Sequence, residues 1–377
     1  MNHTVLSKIL TNKQTNHMRN FALFFALSAL IFSSCVPVIQ EEPTPDTGIS
    51  PDEIWQPFSL VKADQAIRTI HATPFEIYFL TNNNLFRVDI NRNLQEKRLL
   101  RTDRDFLGTP VMADNVFARV IKGLQGNDAT PYVEFHLARN ASVVKAINPT
   151  KFLDSTKNET FSIDKEPSRT PWCFSSDGTK FYLTGTVTPG FKPTVLIFDV
   201  NLNFQADNFA TFNPIALRKR VEIPNLAASQ WESVRFIEGN LYLATKGGSF
   251  RVAADGTVKQ LSTQWIYDFF KFGSKIYTTG YQPSEFSSSS DDGLTWRKEG
   301  ASNLKYVETR GNKVFTQIQR GDRYSMADST LLKVKAIQYG ATFPDKPLTY
   351  NDISFFRDNY YINVEKDIYS VKKITAK

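Results

Sequence analysis

Few residues in this chain of 377 are spaced for chemistry. His3 and His17 stand near the N-terminus, and His71 and His136 occupy strand-like segments with no i+2 or i+4 partner. A metal centre needs ligands converging from such spacings, and a hydroxyl nucleophile needs a histidine to take its proton, so both chemistries lack their parts. No G-x-S-x-G, P-loop or G-x-G-x-x-G string occurs, which leaves no nucleophile elbow and no backbone cradle for phosphate or dinucleotide. The expectation is therefore no cofactor, no metal and no catalytic residue. Paired carboxylates can still meet in space, as in glycoside hydrolysis, so a polysaccharide hydrolase or lyase stays open as the alternative.

Cysteine gives a sharper signal. Cys173 sits in the apolar run Trp172, Cys173, Phe174 and reads as a buried free thiol. Cys35 closes the segment RNFALFFALSALIFSSC, residues 19–35. Arg19 supplies a positive start, Phe21 to Phe32 form an apolar stretch of twelve residues, and Ser33 and Ser34 are small. Twelve apolar residues are too few to span a bilayer, which takes about 20, but they suit the core of a signal peptide. The segment resembles a bacterial lipoprotein lipobox, with Phe32 where that family usually carries Leu. The resemblance implies a signal peptide over residues 1–34, a diacylglycerol on Cys35, and a place in the bacterial cell envelope, anchored to the outer membrane. Met18, directly before Arg19, reads as the true start.

Residues 36–53 hold four prolines and five acidic residues with little to bury, so residues 35–54 read as an extended tether. Its Glu41-Glu42 pair resembles the export signals of surface lipoproteins in the Bacteroidetes, and the choice between periplasmic and surface face stays open. The formal charge of +7 falls to about +4 once Lys8, Lys13 and Arg19 leave with the signal peptide. The remaining cations are scattered along strands, which argues against nucleic acid as a partner. A monomer is expected.

Residues 55–377 carry a repeat. Ile77–Val88 reads IYFLTNNNLFRV and Leu241–Val252 reads LYLATKGGSFRV. Taking the aromatic as marker gives Tyr78, Phe117, Tyr182, Tyr242, Tyr277, Phe315 and Tyr361, a mean period of about 47 residues. That is the length of a four-stranded propeller blade. Tight-turn pairs such as Gly239-Asn240, Gly273-Ser274 and Asp358-Asn359 precede nearly every marker and tolerate the positive φ of two-residue hairpins. The prediction is an all-β chain: one β-propeller of seven four-stranded blades. Its last unit supplies three strands, and Phe58–Ala63 is expected to close the ring as the fourth. Insertions near 122–131 and 149–169 read as surface loops.

Two features remain. Residues 289–296 read SSDDGLTW, in which Ser289, Asp291, Gly293, Thr295 and Trp296 fit S-x-D-x-G-x-T-W. This resembles the Asp box of BNR-type propellers, a structural hairpin joining a blade's third and fourth strands. The sialidases that share it need an FRIP-like motif near the start, and the nearest string here is Arg220-Val221-Glu222-Ile223-Pro224, mid-chain and one residue too long. The second feature is aromatic. Trp231 and Trp265 lie eight residues before Gly239 and Gly273, Tyr350 lies eight before Asp358, and Trp172 lies five before Asp177. All four fall where a first strand begins, and they are predicted to form a platform for sugar rings or a partner peptide. The competing role is to fill the gaps between wedge-shaped blades. The function expected is a lipid-anchored, non-catalytic module binding a glycan or an envelope protein.

Overall fold

A computed structural model of the chain describes residues 54–372, apart from short stretches of which the longest are 100–109, 122–130, 164–171, 202–214 and 340–352. The described residues lie in one compact unit, Pro45–Lys377. The signal peptide, Cys35 and the tether up to residue 53 lie outside the described residues, as does Tyr350.

The described residues form seven sheets, antiparallel except for one short parallel pair. In chain order these blades, 1 to 7, cover residues 69–99, 111–147, 172–222, 231–262, 266–300, 304–336 and 353–372. Blade 4 shows the plan: Trp231–Ile237, Asn240–Thr245, Gly248–Val252 and Val258–Ser262 pair in sequence order. Its first hairpin turns at Glu238 and Gly239, both at positive φ (48° and 82°), the pair of conformations that matches the twist of the flanking strands. First strands of successive blades lie side by side from blade 2 to blade 7 and on to blade 1. A strand of this length buries one face on each neighbour, so the sheets stack around an axis as a propeller.

Among the described residues each seam between blades carries aromatic or aliphatic side chains. All seven markers lie on second strands, and several press onto the next blade. Tyr78 meets Phe117, Tyr182 stacks on Phe236 at 5.4 Å, Tyr242 tilts against Phe269 at 5.2 Å, and Phe315 meets Tyr360 at 5.7 Å. The repeat is thus the trace of a packing need: each wedge must be filled at the same depth.

The ring closes with an N-terminal strand, but not the one expected. Ile54–Pro57 pairs with Asp367–Lys372 of blade 7, in the register Pro57↔Tyr369. Of the predicted Phe58–Ala63, Phe58 stays on this edge, its amide donating to the Ile368 carbonyl (2.7 Å) and its ring edge-on to Tyr361, while Val61 joins the core beneath blade 1. The alternation at 54–57 is too short to stand out in sequence. The insertion after residue 149 is also more than a loop. Two 3-10 turns, Pro149–Phe152 and Ser155–Lys157, lead into Thr160–Ser162, which pairs with an extended second strand, Lys180–Thr188, of blade 3.

His136 has the partners its sequence neighbours did not advertise. It hydrogen-bonds with Glu134 (Nε2···Oε2 3.1 Å), which also takes two bonds from Arg119 on the paired strand (2.7 and 2.8 Å). All three are buried, and the imidazole stacks on Phe117 at 4.6 Å. Burial alone would raise the Glu134 carboxyl; bonds from His136 and the charge of Arg119 outweigh it and hold it at about 2. Its folded value lies below its unfolded one of about 4.3, so its stabilisation is complete above that value and fades as pH falls toward about 2. Glu134→Gln should cost about 3–5 kcal/mol at pH 7 by leaving Arg119 under-paired. Urea unfolding at pH 7 and pH 3 tests this: the gap between wild type and variant should narrow at the lower pH.

Candidate functional site

The same irregularity recurs at the start of three neighbouring first strands. Pairing with the second strand skips between Trp231 and Ser233 in blade 4, between Ile266 and Asp268 in blade 5, and between Leu304 and Val307 in blade 6. A bulge adds residues on one strand and re-aims their side chains. Those residues are Glu232, Tyr267, and the pair Lys305 and Tyr306. Side-chain and backbone bonds hold the third bulge: Thr279 Oγ1 donates to the Lys305 carbonyl (2.6 Å), and the Lys305 amide donates to Thr316 Oγ1 (3.3 Å).

The three bulges converge. Glu232 is buried and accepts from Trp265 Nε1 (3.1 Å) on one oxygen and from the Tyr306 hydroxyl (2.9 Å) on the other. Trp265 stacks on Tyr281 at 4.4 Å with the planes 9° apart, and the Tyr281 amide donates to the Trp265 carbonyl (2.9 Å). Tyr267 lies edge-on to Tyr306 at 5.9 Å and tilted to Trp265 at 5.7 Å. Tyr281 is exposed, at 48%, while Tyr267 is buried. Lys246 stands over the Trp265 ring at 5.3 Å, and Lys305 stands over Tyr267 and Tyr306 at 5.1 and 4.9 Å. Trp231 pairs with Thr245, so the first-strand starts and the turns after second strands share one face of the ring. The cluster occupies that face, with an aromatic shelf open to solvent and a carboxylate fixed beneath it.

Below the cluster the same three strands are bolted by charge. The buried Asp268 carboxylate accepts from Ser233 Oγ (2.6 Å), Arg235 Nε (2.9 Å) and Nη2 (2.7 Å), and the Phe269 and Val307 amides (2.9 Å each). Arg235 also donates to Glu308 (2.6 Å) and to the Val307 carbonyl (3.0 Å). Burial works against the guanidinium charge, but Asp268 and Glu308 outweigh it and push its pKa further up. A cavity of about 310 Å³ lies past this bolt, lined by Arg235, Phe236, Lys271, Glu308 and Thr309 among others. Among the described residues no group of His, Cys, Asp and Glu is arranged to hold a metal.

Of the four aromatics expected on the open face, Trp265 is there and Tyr350 lies outside the described residues. Trp172 and Trp231 are not: both are fully buried, Trp172 between blades 2 and 3 and Trp231 between blades 3 and 4. A side chain that obeys the strand alternation at a strand's start points into the seam; only the loop residue Trp265 precedes the strand and escapes it. Cys173 is a free thiol against the same seam, and burial pushes it up to about 12. Glu232, Tyr267, Tyr281, Lys305 and Tyr306 were missed. A usable signal was the polar or tyrosyl residue breaking apolar alternation two or three residues into Trp231–Val234, Ile266–Phe269 and Leu304–Val307.

The Asp-box residues form a closed hairpin away from this face. Ser289 Oγ accepts from the Gly293 amide (2.8 Å), Asp291 accepts from the Thr295 amide and hydroxyl (2.8 and 2.7 Å), and Trp296 Nε1 donates to the Gly293 carbonyl (3.2 Å). It joins Phe286–Ser289 to Arg297–Gly300 and docks on blade 4 through Tyr242 and Arg251, which both donate to the Asp292 carbonyl (2.8 Å). Arg220, from the FRIP-like string, sits on blade 3's outermost strand and pairs with Glu159 at 2.5 Å.

These placements separate two kinds of aromatic. Trp231→Ala should cost about 3–5 kcal/mol through the cavity it leaves, whereas Tyr281→Ala should cost about 0.5–1.5 kcal/mol, the worth of one stacked pair. Chemical denaturation of the two variants decides it; equal losses would place Trp231 on the surface.

No protein-family model matches the sequence, and no curated protein matches it. Solved structures do. A β-propeller domain of Cps50 (Swd1) from Myceliophteria thermophila superposes with a TM-score of 0.51 at 9% identity, over 83% of this chain and 97% of that one. The GH74 enzyme of Niastella koreensis does so with a TM-score of 0.52 at 9% identity, over 82% of this chain and 52% of that one. PorZ, a surface component of the type-IX secretion system of Porphyromonas gingivalis, matches at 0.49 and 13% identity over 85% of this chain; the chain spans 38% of PorZ. At such identities the likeness speaks of architecture alone, and it agrees with the seven stacked sheets: the chain folds as a β-propeller.

Proposed function

We propose that this propeller is a non-catalytic binding module that takes a glycan on the exposed face of Tyr281, backed by the stacked Trp265, in a protein held to a bacterial outer membrane through Cys35. One observation carries the reading. An exposed tyrosine stacks on a tryptophan whose indole is itself pinned to a buried carboxylate, so the shelf is rigid before any ligand arrives. Flat, preorganised rings match the apolar faces of sugar rings and lose little freedom on binding. The described carboxylates of the three strands support a binding role over hydrolysis: Asp268 and Glu308 are engaged by Arg235, and Glu232 by Trp265 and Tyr306.

Binding of the full chain to a panel of bacterial and host oligosaccharides, followed by calorimetry, tests the site. Tyr281→Ala should weaken the best ligand by about tenfold or more, a change of about 1.4 kcal/mol, and should leave the thermal midpoint close to wild type. Undiminished binding by that variant would remove the shelf from the reading, and turnover of any glycan would replace binding with catalysis. The anchor has its own test. Cys35→Ser should abolish incorporation of labelled fatty acid and release the protein from the membrane fraction; persistence of label would exclude Cys35 as the attachment point.

A further inference from the structure

Several of the described lysines are paired with carboxylates. Lys97 pairs with Asp64, Lys192 with Glu222, Lys271 with Glu238 and Lys275 with Glu299. Three others lie over rings, Lys313 over Tyr360 and Lys246 and Lys305 over the cluster; the last two concern the shelf. Among the described residues neither ammonium meets a carboxylate, and each lies instead over rings of the aromatic shelf: Lys246 over Trp265, Lys305 over Tyr267 and Tyr306. A cation over a ring gains about 0.5–1 kcal/mol at an exposed site, and the ammonium's three donors still need acceptors. Both lysines are partly exposed.

Their backbones are fixed, so both ammonium groups are tethered within reach of the shelf. Lys305 belongs to the bulge that Thr279 and Thr316 hold from either side. Lys246 lies in the turn after Asn240–Thr245, where Thr245 Oγ1 accepts from the Gly247 amide (3.2 Å) and donates to the Gly248 carbonyl (2.6 Å). Of the acids near the shelf, Glu232 has a donor on each oxygen, and Glu285 packs its stem against Gly280. What faces solvent is a sugar-sized aromatic shelf carrying two cations that belong to different blades, 4 and 6.

We infer that the ligand is an acidic glycan: a sugar ring lies on the exposed face of Tyr281, which Trp265 backs, and its carboxylate or sulfate groups are met by Lys246 and Lys305. This rests on the glycan reading above and narrows it to anionic chains. Affinities of the full chain for three oligosaccharides of equal length test it: a uronic-acid oligomer, a sulfated oligomer and a neutral one, each at low and physiological salt. The better of the two acidic ligands should bind about tenfold or more tighter than the neutral one and lose affinity with salt. Lys246→Gln with Lys305→Gln should erase that preference and the salt dependence while leaving neutral binding and the thermal midpoint unchanged. Tyr281→Ala should weaken acidic and neutral ligands alike. The relative affinity of the two acidic oligomers identifies the anionic group. Equal binding of all three, untouched by the lysine changes, would overturn the charge assignment and leave the glycan reading standing. No binding of any glycan would overturn both, and lysine-dependent binding of polyglutamate alone would reassign the cations to an acidic protein partner.

Discussion

The site depends on one buried carboxylate. Asp268 has no exposed surface and takes donors from three blades: Ser233 and Arg235 from blade 4, the Phe269 amide of its own strand, and the Val307 amide of blade 6. A charge in that place is tolerable only when every oxygen is met, and bonds to an ionised group are worth about 1.5–3 kcal/mol each. The three first strands are therefore locked in one relative height. The bulges at Glu232, Tyr267 and Lys305–Tyr306 directly precede Ser233, Asp268 and Val307 on those same strands, so the lock sets the geometry of the rings beside it. A propeller with hydrophobic seams alone would let neighbouring blades slide; here the slide would break charge-assisted bonds.

The architecture was legible because its causes repeat. Successive blades need an aromatic at the depth where Tyr78, Tyr182, Tyr242 and Phe315 touch the next blade, and the described inner hairpins of blades 3 to 5 turn through positive φ at Gly178, Gly239 and Gly273. Such demands leave fixed spacings in a sequence. Closure was legible in kind and misplaced in position, since four residues of strand carry no periodicity, while Phe58 and Val61 have the apolar look of a strand and serve as packing.

The site was half legible. Trp265 stood out by its type and place, and so did Trp231 and Trp172, which the pleat turns into the seams. Telling them apart requires knowing where each strand begins to within one residue. The bulges are harder still, because an added residue is defined by what lies across from it. The Arg119–Glu134–His136 group shows the same limit: two of its members are two residues apart, and the third arrives only through cross-strand pairing.

Closure by the strand Ile54–Pro57 has a mechanical meaning. Ile54–Pro57 completes the ring, paired to Asp367–Lys372 on one side and to Gln338–Tyr339 on the other. Tension applied upstream of residue 54 is borne first by these backbone bonds, so the latch takes the load before any blade does. The antiparallel register puts Ile54 at the end of blade 7 away from the face that carries Trp265 and Tyr281. Load entering at Ile54 and load applied at the Trp265 face would thus reach the ring from opposite sides.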